Sequence, residues 1–132
     1  MPMPDPEIFE VPFDAARLAD LRAAVVSYAP RLGVPAQRVD AFVAAINEVT
    51  TNAVRYGTGA GRLRIWRTAD HLCCQVVNRR RDFSTVPVIA TRPPPPDSAT
   101  GRGLWLAHHL WGKVTVEEQD EMIIVTLCGD LT

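Results

Sequence analysis

"NEVTTNAVRYG", residues 47–57, decides how the chain is read. It closes a run of helical spacing that opens at Pro35, in which Val39, Phe42, Ile46, Val49 and Ala53 form one apolar stripe. Gly57 stops that helix. Glu48 and Asn52 stand one turn apart and away from the stripe, below Ala41 and Ala45 on the same face. A solvated face usually carries Lys, Glu, Gln or Arg, whereas two small side chains beside two polar ones leave room for a ligand. Ala is also the best helix former, and an exposed Glu and Asn require no ligand. The helix by itself leaves both readings open.

A second stretch bears on the choice. "TGRGLW", residues 100–105, sets Gly101 and Gly103 at the start of a helix predicted to run to Trp111. Glycines let a backbone approach a ligand closely, and the free N–H groups of a helix start favour anions such as phosphate. A plain hinge has the same pattern. Just before it, residues 79–100 show no helical or strand period, and Pro93–Pro96 exclude a regular ladder or helix. A carboxamide for a metal, a carboxylate for proton transfer, a backbone for phosphate and a lid between them describe a nucleotide site.

Outward from these stretches the elements follow in order. Ile8 to Val11 reads as a strand, and Asp14 as the N-cap of a helix carrying Leu18, Leu21, Val25 and Tyr28 to Pro30 and Gly33. "GTGAG", residues 57–61, reads as a loop. Arg62 to Thr68 and His71 to Asn78 form a hairpin turned at Ala69 and Asp70, and Lys113 to Glu118 with Met122 to Cys128 form a closing one. The order β-α-α-β-β-lid-α-β-β predicts an α/β (α+β) two-layer sandwich: a mixed, mostly antiparallel sheet covered on one face by helices. Residues 1–132 are expected to be a single domain with the lid at about 79–100.

Totals set the class. A 47% apolar and 22% charged composition is that of a soluble globular chain, and a net charge of -1 gives no pull toward nucleic acid or an anionic membrane. No run is long enough to span a bilayer, and Met1 to Glu7 lacks a signal-peptide pattern, so a cytoplasmic protein is expected. Cys73, Cys74 and Cys128 are odd in number, and strand neighbours point to opposite faces; free thiols are favoured over a disulfide or a metal site. His108 and His109 diverge on their helix and do not easily share a metal. Trp66, Trp105 and Trp111 are expected in the core.

"NEVTTNAVRYG" resembles the N-box of the histidine-kinase-like ATPases with the Bergerat fold, in the form found in bacterial anti-sigma factor serine kinases. "GRGLWLAHHL" is similar to the second glycine box of the same group, closest to its actinobacterial regulators. The likeness extends from about Ile8 to Leu127. It implies that Glu48 is the general base for a substrate serine and that Asn52 holds Mg²⁺ on the phosphates of ATP or ADP. It also implies that Gly101, Arg102, Gly103 and Leu104 line the triphosphate under a lid, with Tyr56 and Asn78 beside the nucleotide. The implied partners are a sigma factor and a STAS-type anti-anti-sigma protein, usually with a homodimer, and no direct nucleic acid or membrane.

Three departures accompany the likeness. Asn78 stands where the family's Asp meets the adenine amino group, followed by Arg79, Arg80 and Arg81 in place of glycines. The family's Gly-Thr near the last strand is missing, Thr126 falling too late, and Tyr56 replaces the usual His. Two functions therefore stand side by side. One is an active anti-sigma serine kinase, and the other is a binding module of the same fold that sequesters a partner without phosphotransfer.

Overall fold

The computed structural model describes residues 9–80 and 102–131, without the side chains of Tyr56, Arg80 and Arg102. Strand β1 (Phe9–Asp14) leads through a 3-10 turn, which the Asp14 carboxylate caps by accepting from the Arg17 amide at 3.0 Å, into α1 (Leu18–Tyr28). A further 3-10 turn ends at Gly33, whose φ of 82° is the left-handed stop expected of a glycine there. Helix α2 (Val39–Tyr56) follows, then β2 (Gly57–Arg67), β3 (His71–Arg80), α3 (Arg102–Leu110), β4 (Lys113–Gln119) and β5 (Met122–Asp130).

The five strands form one sheet in the order β1-β2-β3-β5-β4, and each described pairing is antiparallel. Alternation decides its two faces. Leu63, Ile65, Leu72, Cys74, Val76, Ile123, Val125 and Leu127 are buried in the core with Phe42, Ile46 and Val49 of α2 and Leu104 and Ala107 of α3. Residues at intervening positions, such as Arg62, Arg64, Gln75, Thr126 and Lys113, are exposed or half-buried. Helices thus cover one face and leave the other open, as the sequence implied.

Several expectations are corrected. "GTGAG" is strand, because β1 and β3 flank it: Ala60 pairs with Asp14, and the register to β3 shifts between Gly57↔Arg80 and Gly61↔Asn78. A Cβ at Gly61 would lie 2.8 Å from the Phe13 ring and 3.0 Å from the Val77 carbonyl oxygen, so this glycine permits a close approach rather than a loop. Arg79 and Arg80 belong to β3, which moves the start of the intervening segment past residue 80. Ala45 is fully buried, so the strip above Glu48 is not an open one; α2 is packed by the sheet and by α3.

The cysteine reading is overturned as well. Cys73 and Cys128 face each other in the β3–β5 register with Cα atoms 4.1 Å apart and are joined by a disulfide. Only Cys74, on the core face, keeps a free thiol, and burial pushes it up to about 12. Of the tryptophans, Trp111 alone is in the core. Trp66 is half-buried on the open face, and Trp105 is half-buried with its ring stacked on His109 at 4.0 Å. His108 and His109 are both exposed, and the described residues contain no cluster suited to a metal ion.

Candidate functional site

The site is built where α2 hands over to β2. The helix turns its apolar stripe to the sheet, which places Asn52 beside Ala53 at the buried end of its last turns. Asn52 is 7% exposed, and its Nδ2 is the buried side-chain polar atom left without a partner among the described residues. Leaving a buried amide unpaired costs about 1–3 kcal/mol, which marks this position as one completed by something else. Rotation of the carboxamide by 180° exchanges its ends. One setting donates to a phosphate oxygen, and the other offers an oxygen to a divalent cation. Glu48, one turn earlier, is half-buried. Thr50, midway between them in sequence, is structural: its hydroxyl donates to the Ile46 carbonyl at 2.9 Å.

Asn78 closes the other side. It is 2% exposed near the end of β3, and its Nδ2 donates to the carbonyl oxygens of Ala53 and Arg79, each at 3.4 Å. With the amide hydrogens directed at two backbone oxygens, the end left for a ligand is Oδ1, an acceptor. Such an atom suits the exocyclic amino group of adenine and repels the O6 of guanine. Gly57 makes this arrangement possible. A Cβ there would lie 2.2 Å from the Asn78 Nδ2, 2.7 Å from the Ala53 oxygen and 2.9 Å from the Arg79 oxygen. Two of those neighbours are backbone, so no side chain fits between helix end and strand.

An Asp in place of Asn78 would set a carboxylate oxygen against two carbonyls instead of an N–H. Asn78→Asp is therefore expected to lower stability by about 1–3 kcal/mol, read from urea unfolding at neutral pH. Unchanged stability would mean that the contacts to Ala53 and Arg79 do not hold the carboxamide.

Helix α3 packs against α2. Its first described residues, Arg102 and Gly103, open the helix, and Leu104 is buried in the core. At its other end Trp111 rests on Phe42, near the start of α2, with ring centroids 4.8 Å apart. The first turn of α3 is thus the end remote from the start of α2. Gly101, residues 81–100 with the proline run, and the Tyr56 side chain lie outside the described residues. Arg79 points away from the site, pairing with Glu121 at 3.8 Å with both side chains 65% exposed. Thr126 is on the open face, where the Gln75 amide donates to it at 3.2 Å.

A family model described as a histidine kinase-like ATPase domain matches residues 11–128. The chain belongs to the histidine kinase-like ATPase domain family. Among solved structures, the RsbU and RsbW domains of Rv1364c from Mycobacterium tuberculosis superpose with a TM-score of 0.69 at 16% identity. That alignment covers 95% of this chain and 32% of the other, so the chain spans about a third of that protein's crystallised length. The catalytic domain of the histidine kinase ThkA gives a TM-score of 0.55 at 15% identity over 94% of this chain and 97% of that one. The histidine kinase AdeS of Acinetobacter baumannii gives 0.51 at 16% over 96% and 69%. At such identities these likenesses speak for the fold. No curated protein matches significantly in sequence.

Within this histidine kinase-like ATPase fold, the described structure brings Asn52 and Asn78 to the same helix end, with Glu48 one turn away. It also shows a part that motif reading missed. Gly57 follows the N-box as a helix stop, yet it serves as the space through which Asn78 reaches Ala53. Its φ is -104°, so this glycine is needed for space and not for a left-handed turn, which the sequence pattern alone does not distinguish. No described helix is long and apolar enough to cross a membrane.

Proposed function

We propose that the chain is an anti-sigma regulatory factor of the ATP-binding serine-protein-kinase type, working by partner switching with a sigma factor and a STAS-type anti-anti-sigma protein. The observation that carries this reading is the buried carboxamide end of Asn52 in the last turns of α2, left without a partner among the described residues. It gains support from the acceptor that Asn78 presents and from the RsbW domain named in one of the similar structures. A homodimer and a cytoplasmic setting belong to the same proposal.

The residues divide the work. Asn52 would hold Mg²⁺ and the phosphate oxygens at the triphosphate end. The ion, when bound, neutralises the charge that builds on the transferred phosphoryl group. Backbone N–H groups at Gly101, Arg102, Gly103 and Leu104 would hold the phosphates, and Asn78 Oδ1 would accept from the adenine amino group. Tyr56 flanks the nucleotide. Glu48 takes the proton from the serine hydroxyl of the antagonist as its oxygen attacks.

Thermal unfolding with Mg-ATP and Mg-ADP tests the reading. Nucleotide at about 100 times its Kd adds roughly 2.7 kcal/mol, a rise in Tm on the order of 10 °C for a domain of this size. Asn52→Ala is expected to lose that rise while its ligand-free Tm stays near the parent's, because the Nδ2 it removes has no partner to forfeit among the described residues. An equal rise in the variant would remove Asn52 from the site. The exchange of the usual Asp for Asn78, with arginines following, favours a second reading, a partner-binding module without phosphotransfer. Absence of any nucleotide shift in the parent would select it.

A further inference from the structure

We propose that Cys73 and Cys128 are a reversible dithiol–disulfide switch on the open face of the sheet, with Lys113 as the residue that makes Cys128 the reactive member. The strand registers place Trp66, Cys73, Cys128 and Lys113 in a single row across β2, β3, β5 and β4. This row lies on the face away from the helices. Its flanking residues Leu72, Cys74 and Leu127 are in the core cluster, and Cys73 is not. Lys113 is the one lysine of the whole chain, is exposed, and stands directly opposite Cys128. An ammonium group there stabilises a thiolate.

The crosslink is not what holds the strands together. β3 and β5 pair continuously from His71↔Asp130 to Arg79↔Met122, so the sheet persists when the bond opens. Access is one-sided. Cys73 is 5% exposed, whereas Cys128 is half-buried on the open face and within reach of an attacking sulfur. A thiolate of a thiol reductant, such as glutathione or a protein dithiol, attacks Sγ of Cys128 and breaks the bond. Cys73 leaves as a thiolate and takes up a proton. A second reductant thiol then displaces Cys128, so two reductant thiols become one disulfide and the protein gains two S–H groups. Oxidation by a disulfide of the same class runs the steps backwards. Cys74, sealed in the core beneath, stays out of the exchange.

What changes is local rigidity. Leu72, next to Cys73, accepts the Trp111 Nε1–H at 3.1 Å, and Gly129, next to Cys128, lies against the Trp111 ring. Closing the bond fixes both strands of this socket, in which α3 ends. The inference does not depend on nucleotide binding.

The test equilibrates the whole folded chain with glutathione at graded reduced-to-oxidised ratios. Thiols are then counted by alkylation and mass spectrometry, before and after denaturation. Oxidised protein should retain one thiol, Cys74, alkylated only after denaturation, and should melt higher by on the order of 10 °C for a crosslink of 55-residue separation. Excess reductant should return both thiols without unfolding. Cys73→Ser and Cys128→Ser should abolish the redox-dependent shift. In reduced protein Lys113→Gln should slow alkylation of Cys128 several-fold, with Lys113→Arg restoring it. The proposal is overturned if both cysteines remain free in oxidising buffer, or if the bond opens only on unfolding. Equal rates in Lys113→Gln would remove the lysine's part in it.

Discussion

Glu48→Ala is expected to lower the rate of phosphotransfer to a serine-bearing antagonist by about 10²–10⁴-fold, the usual loss for a positioned general base. The effect should fall on chemistry and leave nucleotide binding in place. Glu48 precedes Asn52 by one turn on the same side of α2, far enough along the helix axis, about 6 Å, for one to face the phosphates and the other the incoming hydroxyl. The two variants therefore separate. Glu48→Ala should keep the Mg-ATP rise in Tm and lose turnover, whereas Asn52→Ala should lose both. Glu48→Gln, which preserves shape without the basic oxygen, should behave like the alanine variant. Transfer at the parental rate in either Glu48 variant would sink its assignment as base, and the attacking hydroxyl would then need another acceptor.

The candidate residues were legible where their placement is local. Glu48, Asn52, Gly101 and Gly103 lie within short stretches of sequence, helical spacing fixes which α2 side chains share a face, and the order of elements followed from the same periodicities. What stayed hidden depends on register between distant strands. That Cys73 meets Cys128 requires knowing that β5 inserts between β3 and β4, an arrangement no local pattern encodes. The same holds for Asn78. Its tie to Ala53 exists because β2 starts at Gly57 against the end of β3, and the glycine-rich "GTGAG" disguised that start as a loop. Trp66 was misplaced for a related reason. Its neighbour Ile65 takes the core face, and a one-residue alternation decides which of the two is buried.

Trp111→Ala is expected to be the most damaging single change to the fold, costing about 3–5 kcal/mol out of a total near 5–15. The residue is 5% exposed and joins three elements, the end of α3, α2 and β5. Its ring contacts Phe42 of α2 at 4.8 Å, the Arg38 guanidinium lies 4.1 Å from the ring centroid, and Gly129 of β5 packs beneath. Arg38 in turn donates to the Asp130 carbonyl, binding the entry of α2 to the end of β5. Truncation would empty the socket, remove the indole donor from the Leu72 carbonyl and leave the end of α3 without its anchor. Trp111→Phe separates these contributions: it keeps most of the packing and loses the Nε1 donor, so about 1–2 kcal/mol should go. Urea unfolding of both variants at one temperature gives the comparison. A loss below about 1 kcal/mol in the alanine variant would mean that α3 is held mainly by Leu104 and Ala107. A Trp111 anchor instead predicts that weakening this end loosens the whole helix, including the first turn, which is proposed to hold the phosphates.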